Sequence, residues 1–182
     1  MNFFVPIAHG SIDGVGDLWN GLIHPLRSAS HLLLLLSLGL FAGQRRRYKK
    51  AVAVFVVCAV AGLIYTQVPG ATEPLPALLC GLSAVVGILV ALRRPFPQTA
   101  GFLVFGASGF VLGWDSGPAE TAGWVSFKIL LGVWAGLTVL LLNLASYGAM
   151  IPKKTWVKIA FRVLGSWIVA ISALSLALSL KR

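Results

Sequence analysis

Six apolar runs, at approximately 18–43, 50–67, 75–93, 98–114, 122–149 and 156–180, follow one another along this chain with only short polar stretches between them. Crossing about 30 Å of hydrocarbon takes roughly 20 helical residues, and most of the runs reach that length. The fourth, GFLVFGASGFVLG, is short and rich in glycine, so as a full span it needs a tilted neighbour or local thinning of the bilayer. Five spans with one re-entrant segment are the alternative. Composition agrees: 58% of the 182 residues are hydrophobic, 11% are charged, and the mean hydropathy is +0.89. A water-soluble fold of this size cannot hide so much apolar surface. The expected fold is an all-α polytopic membrane bundle of about six helices, with residues 1–182 forming one domain because no loop is long enough to be a linker.

The net charge of +10 raises nucleic acid as a partner. The basic residues instead form short clusters between apolar runs rather than one polar face, which marks membrane loops and excludes that partner. QRRRYKK at 44–50 follows the first run, Arg93 and Arg94 the third, and Lys153, Lys154 and Lys158 the fifth. These alternate with GSIDGVGD, VPGATEP and WDSGPAET, which carry all five acidic residues and no Lys or Arg. Because basic loops are retained on the cytoplasmic side, both termini are expected outside, with Lys181 and Arg182 the one dissent. The start, MNFFVPIAHG, has no basic n-region and predicts no cleaved signal peptide. Cys58 and Cys80 fall inside apolar runs and read as packing residues. Trp19, Trp114, Trp124 and Trp156 fit interfacial belts, and the pairs Gly109/Gly113 and Gly132/Gly136 fit close helix packing within one bundle.

Ionisable groups inside a span are costly, so each is a functional hypothesis set against snorkelling or structural pairing. The candidates are His24, Arg27, His31, Glu73, Lys128 and Arg162, with Asn143 as a neutral addition. On a continuous helix His24 and His31 stand about 10 Å apart on nearly the same face. Metal–imidazole bonds are only about 2.0–2.1 Å long, so both reach one ion only with help from another helix or distortion near Pro25. Arg27, between them, repels a divalent ion unless a carboxylate neutralises it. Glu73, at the outer end of the third run, is the expected carboxylate, with Lys128 at similar depth and His31 deeper. The structural alternative pairs Arg27 or Lys128 with Glu73 merely to fix helix positions. Arg162 is expected to snorkel at the basic boundary. His9 with Asp13 and Asp17 could form an external capture site with His24; a solvated loop is the favoured reading, since the spacing matches no ligand pattern.

GASG at 106–109 matches the GxSG of rhomboid intramembrane proteases, with Ser108 as nucleophile. That chemistry needs a histidine on the last span as base, and the sequence has none after His31. No enzymatic activity is expected.

The stretch GLIHPLRSASHLLLLLSLGLFA resembles the opening span of the HupE/UreJ family, the hydrogenase and urease accessory membrane proteins, whose signature is His-Pro followed by Asp-His. VPGATEPLPALLCGLSAVVGILVAL is similar to that family's glutamate-bearing loop and third span. Weaker similarity continues through LTVLLLNLASYGA and KIAFRVLGSWIVAISALSLAL. The resemblance implies a six- or seven-helix bacterial inner-membrane protein that admits nickel, or a similar divalent ion, for metalloenzyme assembly. His24, Pro25, His31 and Glu73 stand at positions matching its polar motif. The chain departs from that pattern in three places. Ser30 replaces the aspartate before the second histidine, VFGASGF lacks the fourth-span histidine, and Asn143 stands near the fifth-span one.

Two functions follow. The first is a transporter of a small solute, by resemblance a divalent metal as cargo, with His24, His31 and Glu73 as ligands or relays and a polar path continuing past Asn143. The second is a non-transporting accessory or structural subunit of a larger membrane complex, with a sealed apolar inner half and an apolar face for partner subunits. Transport ranks first. No nucleotide-binding loop or cofactor motif is present, so no resident cofactor is expected and active transport would run on a gradient or a partner.

Overall fold

In the computed structural model the described residues are 16–45, 48–68, 76–117, 123–151 and 154–180, and they are almost wholly helical. Seven helices run in order: α1 (Asp17–Arg27), α2 (Ala29–Gly43), α3 (Tyr48–Tyr65), α4 (Pro76–Leu92), α5 (Gln98–Asp115), α6 (Gly123–Met150) and α7 (Thr155–Leu180). No strand occurs among the described residues. Each of the last five apolar runs gives one helix, as the sequence predicts. By length and composition α3, α6 and α7 can each cross a membrane alone, and the bent α1–α2 pair reaches that length only when its two helices are counted as one broken span. With 17 and 18 residues, α4 and α5 lie at the short end of what a bilayer core requires.

The first run departs from its expected form. It is not one rod over 18–43 but two helices bent by 73° at Ser28. Pro25 lies inside α1, where it has no N–H to donate and its ring crowds the preceding turn. Three residues later Ser28 is extended, at φ −94° and ψ 116°, and α2 restarts from it with Leu32 N donating to Ser28 O.

Everything else is arranged around α2, which touches all six other helices. Its run of leucines is apolar on every side, as suits a helix buried all round. Leu34, Leu35, Leu38 and Ala42 are wholly enclosed, and Phe41 nearly so. Around this axis the helices associate in pairs, α1 with α6, α3 with α5 and α4 with α7. Small residues set the spacing, because lipid offers no hydrophobic drive between helices and close van der Waals contact must supply it. A Cβ on Gly109 or Gly113 of α5 would fall on the carbonyl oxygen of Phe55 or Ala59, and one on Gly62 of α3 would fall on that of Phe110. These contacts hold the glycine-rich α5 as a full helix despite its weak intrinsic propensity. Gly132 and Gly136 of α6 bear in the same way on Leu18 and Leu22 of α1, so both glycine pairs serve packing within the bundle.

The outer surface is inverted relative to a soluble protein. Large apolar side chains such as Val57, Ile64, Leu103, Val139 and Leu174 are exposed, while serines such as Ser37, Ser83 and Ser172 are buried. Ser37 and Ser83 bond to carbonyls of their own helices, at 2.7 and 2.8 Å, so their hydroxyls can sit in an apolar core. Gln44 Nε2 and Arg162 Nε donate to Val90 O and Ala91 O, at 3.2 and 3.1 Å, completing carbonyls in the last turn of α4 that no helical N–H can reach.

Candidate functional site at the broken helix

The bend at Ser28 decides where the histidines go. Their rings come to 5.3 Å between centroids, edge to face, rather than the two helical turns expected of a straight rod. His24 sits half-buried in the last turns of α1, and His31 is wholly enclosed in the first turn of α2. Arg27, the last residue of α1, lies where the helix's negative end favours a cation.

The carboxylate beside His31 is one that sequence reading assigned to a loop. Asp115, the last residue of α5, places Oδ2 2.7 Å from His31 Nε2, with the two side chains 18% and 1% exposed. The contact crosses 84 residues of sequence. One signal could have found it: Asp115 closes a span on the acidic side, the side from which His24 descends, and the family's own aspartate is missing at Ser30. Instead Ser30 Oγ lies 2.9 Å from Ser28 Oγ across the break.

With an ionised Asp115 accepting, the hydrogen of His31 sits on Nε2. In the neutral imidazole Nδ1 then presents a lone pair, and this buried atom has no hydrogen-bond partner in the structure. An imidazole held through one nitrogen by a carboxylate, with the other nitrogen open, is how metal-ligating histidines are generally oriented.

Of the remaining polar residues, Lys128 and Asn143 do not join this group. Lys128 Nζ lies 3.8 Å from Asp17 Oδ2, an exposed pair that ties α6 to the start of α1. Such a pair adds little stability. Glu73, His9 and Asp13 lie outside the described residues. Asn143 is exposed on the outer face of α6, where its Nδ2 donates to Val139 O of the same helix at 2.7 Å. Its amide is thus bonded within its own helix, on the outside of the bundle. Ser108 is buried in α5, consistent with reading GASG as packing: a Cβ at Gly106 would meet Cys58 and Val54. Among the described residues no three His, Cys, Asp or Glu side chains converge as a metal cluster.

A bundle whose opening span is broken beside two histidines, with an inverted surface and short helix connections, defines a multi-pass helical membrane protein with a polar centre near one face. The family profile described as HupE / UreJ protein matches residues 2–176, almost the whole chain. The chain belongs to the HupE/UreJ family. No curated protein and no solved structure matches it at a significant level.

Proposed function

We propose that this protein is a six-span inner-membrane transporter, with both termini outside, that passes a small divalent cation such as nickel. The observation that carries this reading is His31, enclosed, oriented by Asp115 through Nε2, and holding Nδ1 without a partner. Backbone supports the same sign of cargo: the C-terminal end of a broken helix offers carbonyl oxygens and a negative dipole end to cations. His24 is the second imidazole donor, Asp115 orients rather than ligates, and Glu73 is the proposed carboxylate from the α3–α4 connection. Membership of the family supplies the cargo class.

A second reading, a non-transporting accessory subunit, draws on the absence of a convergent three-donor cluster among the described residues. Equilibrium binding of nickel, cobalt and zinc to the purified chain in detergent separates the two. The first reading expects saturation near one ion per chain, loss of binding in His24→Ala/His31→Ala, and affinity weakened about 10–100-fold in Asp115→Asn. Binding by the wild-type chain no greater than that of the double variant would sink it and favour the subunit.

A further inference from the structure

At the opposite, basic end of the bundle a cavity of about 250 Å³ opens between the end of α2 and the starts of α3 and α5. Its inner wall is aromatic, formed by Phe41, Phe102 and Phe105, and Arg45 and Tyr48 stand among its lining residues. The Arg45 guanidinium lies 4.4 Å over the Phe41 ring and 5.3 Å from that of Phe96, and Nη1 donates to Phe96 O at 2.7 Å. One of its five N–H donors is thereby committed, and the stacking fixes the direction of the rest. Burial pushes the guanidinium below its ordinary pKa.

We propose that this cavity binds an anionic phospholipid, its phosphate against Arg45 and the upper part of one acyl chain along Phe41, Phe102 and Phe105. Charge complementarity selects this occupant. Lys49, Lys50, Arg93, Arg94, Lys154 and Lys158 belong to the same end of the helices, whereas the described acidic residues, Asp17 and Asp115, belong to the other. The site also has the mixed character that a lipid headgroup and acyl chain require, apolar within and cationic at the loop. Gly101, in the first turn of α5, forms part of the wall, and a Cβ built there meets nothing within 4 Å. That open position allows the cavity to be filled without disturbing a helix contact.

The test is a lipid titration of the full chain in neutral detergent, read by native mass spectrometry. Dioleoyl phosphatidylglycerol is compared with dioleoyl phosphatidylcholine, and glycerol 3-phosphate supplies the headgroup alone. The expected result is one saturable phosphatidylglycerol per chain, about fivefold weaker in Arg45→Gln and lost in Gly101→Leu, with an unchanged melting temperature in the latter. Equal binding of the two lipids would overturn the proposal, as would undiminished phosphatidylglycerol binding by folded Gly101→Leu. Competition by glycerol 3-phosphate at the same concentrations as lipid would identify a free-phosphate site instead. Should Arg45→Gln fail to fold, the Gly101→Leu comparison decides alone.

Discussion

Alanine at Gly132 tests the packing that holds the broken span in place. A Cβ there would lie on the carbonyl oxygen of Leu18, 2.9 Å from Leu22 N and 3.1 Å from Gly21 Cα. All three neighbours are backbone atoms of α1, so none can turn aside, and the nearer of the two quoted gaps is about 0.5 Å short of ordinary contact. The helix must retreat or strain. Overpacking of this kind costs about 1–3 kcal/mol, and the better helix propensity of alanine returns about 1 kcal/mol. A net loss of about 0–2 kcal/mol, at roughly 2–4 °C per kcal/mol for a chain of this length, lowers the melting temperature by up to about 8 °C. The matched control is Gly81→Ala on α4, where a Cβ meets nothing within 4 Å and melting should be unchanged or slightly higher. Because α1 carries His24, Gly132→Ala should also weaken nickel binding. Thermal unfolding followed by tryptophan fluorescence in one detergent supplies the measurement. A Gly132→Ala protein melting above wild type, as the unhindered Gly81→Ala control is free to do, would refute backbone-to-backbone packing of α1 on α6.

Other substitutions probe separate parts of the molecule. Asp115→Ala leaves His31 Nε2 buried beside no acceptor and should cost about 1–3 kcal/mol in denaturant or thermal unfolding, with Asp115→Asn recovering part of it. Leu38→Ala, at a fully enclosed position of the central helix, should cost about 2–5 kcal/mol, and a value below about 1 kcal/mol would mean that α2 is not the packed axis. Asn143→Leu removes a group that bonds its own helix on the outer surface; stability should stay within about 0.5 kcal/mol and metal binding should not change. Arg93 follows α4 in the left-handed region at φ 50°, so Arg93→Gly should raise stability by up to about 1 kcal/mol, read as a higher melting temperature.

Much of the fold was legible because its cause is one-dimensional. Run length against bilayer thickness yields α3 to α7 nearly residue for residue, and the spacing of Gly109, Gly113, Gly132 and Gly136 marks the close contacts. The break at Ser28 was not, since Pro25 announces a disturbance without fixing its angle, and the leucines after it continue the apolar signal unbroken. Reading a straight helix put His24 and His31 about 10 Å apart, where the bend brings their rings to 5.3 Å. Asp115 escaped for a different reason: a carboxylate at the end of a span looks the same whether it faces water or a buried imidazole, and only the pairing of α5 within the bundle distinguishes them. Lys128, matched by depth to Glu73 in the sequence, lies beside Asp17 among the described residues, an acid its spacing along the chain did not point to.

The 84 residues between His31 and Asp115 also order events during synthesis. At about 5–20 residues per second, Asp115 leaves the ribosome roughly 4–17 s after His31. Throughout that interval α2 has neither α6 nor α7 beside it, and its imidazole has not met its acid. An 11-residue α1 is about 16 Å long and cannot cross the bilayer by itself, so the opening pair enters as a polar-hinged segment still awaiting its neighbours. Order of birth therefore runs against order of burial: the helix at the centre of the finished bundle is among the first made and the last enclosed.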